Sequence, residues 1–103
     1  MTNVLVVFNL QEGVDAAEYE EWARTRDLPT ARSLSSVDGF NVLKCCGMFG
    51  TDAAAPYQYV ELLEVNDFEK LGAEAGEGEM AKVAAEFGAF ADNPQFIILE
   101  DIE

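Results

Sequence analysis

Apolar runs and amphipathic stretches follow one another in the order strand, helix, strand, strand, helix, strand, and that order leaves few topologies open. Asn3 to Leu10 is rich in Val, Leu and Phe without helical periodicity and is closed by Gly13, which predicts a strand apolar on both faces. Asp15 and Glu18 form a capping pair ahead of Tyr19, Trp22 and Ala23 at helical spacing, predicting a helix over 16–27. Pro29 disfavours helical geometry at Leu28 yet suits a first turn, so a second short helical piece over 29–35, set at an angle, is expected. Phe40 to Phe49 and Tyr57 to Val65 read as an antiparallel pair with a long connection. Asn66 or Asp67 caps a second helix carrying Phe68 and Leu71, which Gly72, Gly76 and Gly78 interrupt with a flexible acidic stretch. Met80, Val83, Phe87 and Phe90 then share a helical stripe ended by Asn93 and Pro94, and Phe96 to Ile102 supplies the last strand.

The order βαββαβ predicts a single α+β domain over 1–103 with the ferredoxin-like arrangement, a four-stranded antiparallel sheet carrying both helices on one face. The other face is left bare. The first strand is apolar on both sides and the last contains Ile97, Ile98 and Leu99, so that face too must leave water. With only two helices available, the expected cover is a second copy packed sheet to sheet, a homodimer.

Charge and composition remove whole classes of function. Six Lys and Arg stand against 20 Asp and Glu, a formal charge of −14, which excludes a groove that neutralises nucleic-acid phosphates. No apolar stretch approaches the roughly 20 residues of a membrane span, and Met1 to Leu10 lacks a basic leader, so a cytoplasmic, acidic protein without membrane contact is expected. The chain has no histidine, which removes imidazole as base or ligand and with it most zinc and haem sites. Cys45 and Cys46 are adjacent in a strand and point apart, so they read as ordinary thiols. The acids Glu74, Glu77 and Glu79 lack a ligand loop and read as solvated; no metal and no cofactor is expected.

Two clusters can carry chemistry. Tyr19, Trp22 and Arg26 share a helical face, with Asp27 adjacent and Arg32 about a turn on. Rings with flanking charges suit a pocket for a planar, partly polar molecule; the same residues also fit a plain core with an exposed ion pair. On the third strand Tyr57, Tyr59, Glu61 and Leu63 share one face. Turned toward the helices, Glu61 would meet the same cavity as Trp22, where desolvation favours its protonated form and suits it to acid or base work. Tyrosines there are equally ordinary sheet packing.

The element order resembles the dimeric α+β barrel superfamily. The segment from Tyr19 and Trp22 through Asp27, Leu28 and Pro29 to the turn Val37 to Phe40 resembles its EthD-type members, with Asp27 where they carry a histidine and Asp38 in place of a proline. Asn3 to Leu10, Glu18 to Ala23 and Arg26 to Pro29 are most similar to the RedY-like, HapK-type proteins of prodiginine pigment pathways. The resemblance implies a small cofactor-free homodimer of antibiotic or pigment biosynthesis that handles a pyrrole or indole intermediate. Its catalysis would be condensation, cyclisation or dehydration, with Asp27 or Glu61 as acid/base and Arg26 or Arg32 opposite developing negative charge. Tyr19, Trp22, Arg32, Tyr57 and Tyr59 would bind the aromatic substrate. Alternatives are a binding or delivery protein for such an intermediate, partnered with a pathway enzyme, and a cofactor-independent monooxygenase.

Overall fold

The structure, a computed structural model, describes residues 2–103. Its strands are β1 (Thr2–Leu10), β2 (Val37–Lys44), β3 (Tyr59–Val65) and β4 (Ala91–Glu100), and its α-helices are α1 (Ala16–Trp22), α2 (Leu28–Arg32), α3 (Phe68–Ala75) and α4 (Gly78–Phe90). The sheet is antiparallel in the order β2-β3-β1-β4, the ferredoxin-like arrangement that the element order implies. Strand registers set two rows of side chains on the helix-facing side. Val42, Glu61, Val6 and Phe96 lie abreast in one, and Phe40, Leu63, Val4 and Ile98 in the other.

The first helix departs from expectation in an informative way. Asp15 caps α1 by accepting from the Ala17 amide, as its position before the apolar stripe requires. Beyond Trp22 the chain does not break before Pro29; it widens into a π-helical turn over Ala23–Asp27, and the Leu28 amide donates to the Ala23 carbonyl. A proline removes one i→i−4 bond and crowds the preceding turn, and widening accommodates both within one continuous helical path. The expected separate piece over 29–35 is therefore the continuation α2. The turn leaves Asp27 and Ala31 buried on the sheet side.

Other boundaries shift for local reasons. β2 begins at Val37, not Phe40, because Val37 already pairs with Val65, and it stops at Lys44 ahead of Gly47 and Gly50, both at positive φ. The interrupted acidic stretch is more ordered than expected: α3 runs through Gly72, and only a short turn at Gly76 and Glu77 separates it from α4. Nor is Glu74 a free acid. It accepts from the side chains and amides of Ser35 and Ser36, which lower its pKa to about 2 and tie α3 to the start of β2. Helix α4 ends at Phe90, and β4 follows without a loop, passing Asn93 at φ 47° and Pro94 where the register with β1 shifts. An edge strand tolerates that proline because its outer amides need no partner.

Phe8 anchors the core with no exposed surface. It meets Tyr19 edge-on at 5.6 Å, stacks on Tyr59 at 5.9 Å and meets Phe87 edge-on at 5.0 Å. The helices leave β4 uncovered, so Phe96 and Ile98 stay largely exposed on the helix-facing side. No described helix is long and apolar enough to cross a membrane.

Candidate functional site

Between the sheet and helices α2, α3 and α4 lies a cavity of about 530 Å³. The two side-chain rows, Val42 apart, floor it, while Leu71 of α3 and Met80, Val83 and Phe87 of α4 wall it, so nearly all of its surface is apolar. The exceptions are two acids, Asp27 from the end of the π-helical turn and Glu61 from the row beside Val6. Both side chains are buried, Asp27 4 % and Glu61 6 % exposed.

Burial and mutual proximity decide their ionisation. Loss of hydration raises the Asp27 carboxyl to about 6, an effect that hydrogen bonding with Glu61 partly offsets. Glu61 is pushed well above its ordinary value, first by burial and then by the neighbouring Asp27 charge, against a lowering influence from the Tyr19 hydroxyl. Two like charges this close do not both form readily in an apolar setting, so near neutral pH the pair keeps one proton, held by Glu61. Asp27 Oδ2, Glu61 Oε2 and Tyr19 Oη each lack a protein hydrogen-bond partner of ordinary geometry.

The remaining expected site residues lie elsewhere. Tyr19 is fully buried behind the acid pair, 4.8 Å from Tyr59 and 5.9 Å from Trp22 between ring centres, and burial followed by the nearby Glu61 and Asp27 charges raises its phenol. Trp22 does share a face with Arg26, but that face meets α4. Trp22 Nε1 donates to Glu86 at 2.8 Å, and Arg26 donates to both oxygens of Glu86, at 3.0 and 2.8 Å, and to Glu79 at 3.0 Å. Neither borders the cavity. The Tyr59 hydroxyl points away, donating to Glu20 at 2.6 Å, while Lys44 Nζ lies 3.2 Å from the same carboxylate oxygen. Arg32 donates to the Phe40 carbonyl at 3.0 Å in a separate shallow groove, and Tyr57 is half-buried ahead of β3, off the cavity.

So the structure joins Asp27 with Glu61, keeps Tyr19 behind them and turns Trp22 and Arg26, which flanked Asp27 in sequence, away toward α4. The cavity's own aromatic residues, Phe40, Phe68, Phe87 and Phe96, come from four elements; only the α4 stripe and the shared face of Glu61 and Leu63 pointed to parts of this wall. Among the described residues no group of three or more Cys, Asp or Glu is placed to hold a metal ion.

The family model of the REDY-like protein HapK matches residues 2–102. The chain belongs to that family. Among solved structures, HapK from Hahella chejuensis superposes with a TM-score of 0.80 at 24% identity, over 99% of this chain and 93% of its own. An Arabidopsis thaliana protein gives 0.79 at 12% identity, covering 100% and 97%. SnoaB, a cofactor-independent oxygenase from Streptomyces nogalater, gives 0.73 at 11% identity, covering 99% and 93%. These likenesses establish the shared fold. No curated protein matches the chain in sequence.

Proposed function

We propose that this HapK-family chain is a cofactor-free enzyme of secondary-metabolite biosynthesis, of the prodiginine pigment type, acting on a pyrrole or indole intermediate by acid/base-assisted condensation, cyclisation or dehydration. The supporting observation is the pair Asp27 and Glu61, one carboxylate and one carboxylic acid at neutral pH, set into an otherwise apolar cavity sized for a small aromatic molecule. Acid and base stand side by side there, as proton transfer in both directions requires.

In a condensation the heteroaromatic ring carbon attacks a carbonyl. A C–C bond forms, the carbonyl π electrons move to oxygen, and that oxygen takes the Glu61 proton. Asp27 takes the proton released as the ring regains aromaticity. Asp27, now protonated, donates to the new hydroxyl, which leaves as water while the ring nitrogen lone pair forms the conjugated iminium cation, and loss of the N–H proton to the Glu61 carboxylate gives the neutral product and restores the pair. A dehydration uses these last two proton transfers, with the same loss of water, alone. The apolar walls strengthen the fixed charges and hold the flat ring in place. Arg26 serves this arrangement from outside, pinning the π-helical turn to α4 through Glu86 so that Asp27 faces Glu61.

The chain acts as a homodimer in this reading. Leu43 and Ile97, 49 % and 41 % exposed, stand on the sheet face opposite the helices, where a second sheet would cover them. The test is turnover and binding of pyrrole and indole aldehydes by wild type, Asp27→Asn and Glu61→Gln. Binding retained with turnover lost in both variants supports catalysis by the pair. Binding without turnover even in wild type points to a delivery protein.

A further inference from the structure

We propose that the group seated against Asp27 and Glu61 is a cation, the N–H-bearing end of an otherwise hydrophobic ligand, and that the cavity rejects carboxylates and phosphates. This rests on the reading of the cavity as the ligand site and adds the charge class of what it takes.

The charge pattern around the cavity is one-sided. Among the described residues its only ionisable lining groups are the two acids, and no Lys or Arg borders it. Five of the six basic side chains are engaged elsewhere, Arg24 and Lys44 with Glu20, Arg26 with Glu79 and Glu86, Lys82 with Glu79, and Arg32 with the Phe40 carbonyl, and the sixth, Lys70, does not line the cavity. An anionic ligand would thus lose its hydration beside a buried negative pair with nothing to neutralise it, the least favourable electrostatic arrangement in an apolar site. A cation meets the opposite situation: it supplies the counter-charge that the buried pair lacks.

Hydrogen bonding agrees with charge. Both carboxyl side chains are more than nine-tenths buried, and each has an oxygen without a protein partner of ordinary geometry. The Asp27 carboxylate accepts, and the protonated Glu61 still accepts through its carbonyl oxygen, so the complementary ligand edge donates, and a planar group with two N–H bonds can reach both carboxyls at once. An amidinium or a protonated imine beside a ring N–H has that form. Over longer range, the net charge of −14 draws cations toward the molecule and repels anions.

The test is calorimetric titration of the folded full chain at neutral pH with three ligands built on one indole ring, its amidine, carboxamide and carboxylate. Their shapes are nearly equal and their charges differ. The amidine is expected to bind about tenfold tighter than the carboxamide, the step from a neutral to a charge-assisted hydrogen bond, and the carboxylate at least about tenfold weaker than the carboxamide. The variant Asp27→Asn/Glu61→Gln, which keeps side-chain volume and removes the charge, should lose this ordering. A carboxylate that binds as tightly as the amidine overturns the inference alone, as does an amidine preference that survives the double substitution. Failure of all three to bind folded wild type overturns the ligand-site reading as well.

Discussion

Asp27 and Glu61 come from a helix end and a central strand, yet their carboxyls share one buried environment, and the ionisation of each depends on the other. The π-helical turn sets this relationship. By widening ahead of Pro29, the helix continues without interruption and leaves Asp27 on its sheet-facing side, toward the row containing Glu61.

Stability should therefore fall as pH rises through the acid pair. Asp27 has a folded pKa of about 6 against an ordinary 3.8, so the folded state holds a proton that the unfolded state releases. The contribution is fully present below about pH 4 and is lost by about pH 6, an effect of roughly 3 kcal/mol. Glu61 extends the decline upward, and the groups facing the pair, Tyr19 and beyond it Tyr59 and Glu20, do not reverse it. Glu74, held low, acts in the opposite sense and only toward acid. Melting temperatures across this range should be higher near pH 5 than near pH 8, and Asp27→Asn should flatten the profile and raise the alkaline value.

Turnover should fall by about 100-fold or more in Glu61→Gln and in Asp27→Asn, the usual contribution of a positioned acid or base. Circular dichroism of both variants should match wild type. A loss below tenfold would show that the pair does not carry the proton transfers.

Tyr19→Phe should be neutral or slightly stabilising. Its hydroxyl is buried with no partner of ordinary geometry and reaches Glu61 only weakly, so removal sacrifices little hydrogen bonding and saves a desolvation cost. By contrast Phe8→Ala should cost about 3–5 kcal/mol, since it empties the centre of the aromatic cluster. Urea denaturation of both variants separates these outcomes.

Arg26→Ala should loosen the π-helical turn without altering the cavity wall directly. Trp22 shares Glu86 with Arg26, so its emission should shift, and the difference from wild type should shrink in high salt. Unchanged Trp22 fluorescence would indicate that the clamp does not position this turn.

Much of the fold is legible in the residues because its signals are local. The Asp15 cap, the stripe Met80, Val83, Phe87 and Phe90, and the alternation in β3 each identify their element. The site is only half legible. Period-two alternation does turn Glu61 toward the helices, and Asp27 stands out beside Pro29. Which aromatic residues meet them depends on strand register and helix placement. Trp22 and Arg26 sit beside Asp27 in sequence but point to α4, whereas Phe40 and Phe96 reach the cavity only through pairing with β3 and β1. The π-helical turn has no local signature beyond the proline it accommodates.

The most direct test is a carbon-13 NMR titration of the side-chain carboxyls, with Asp27→Asn and Glu61→Gln assigning the two resonances. Asp27 is expected to titrate near pH 6 and Glu61 to stay protonated through neutrality. Ordinary titration of both carboxyls near pH 4 would contradict the shared proton on which the proposed chemistry rests.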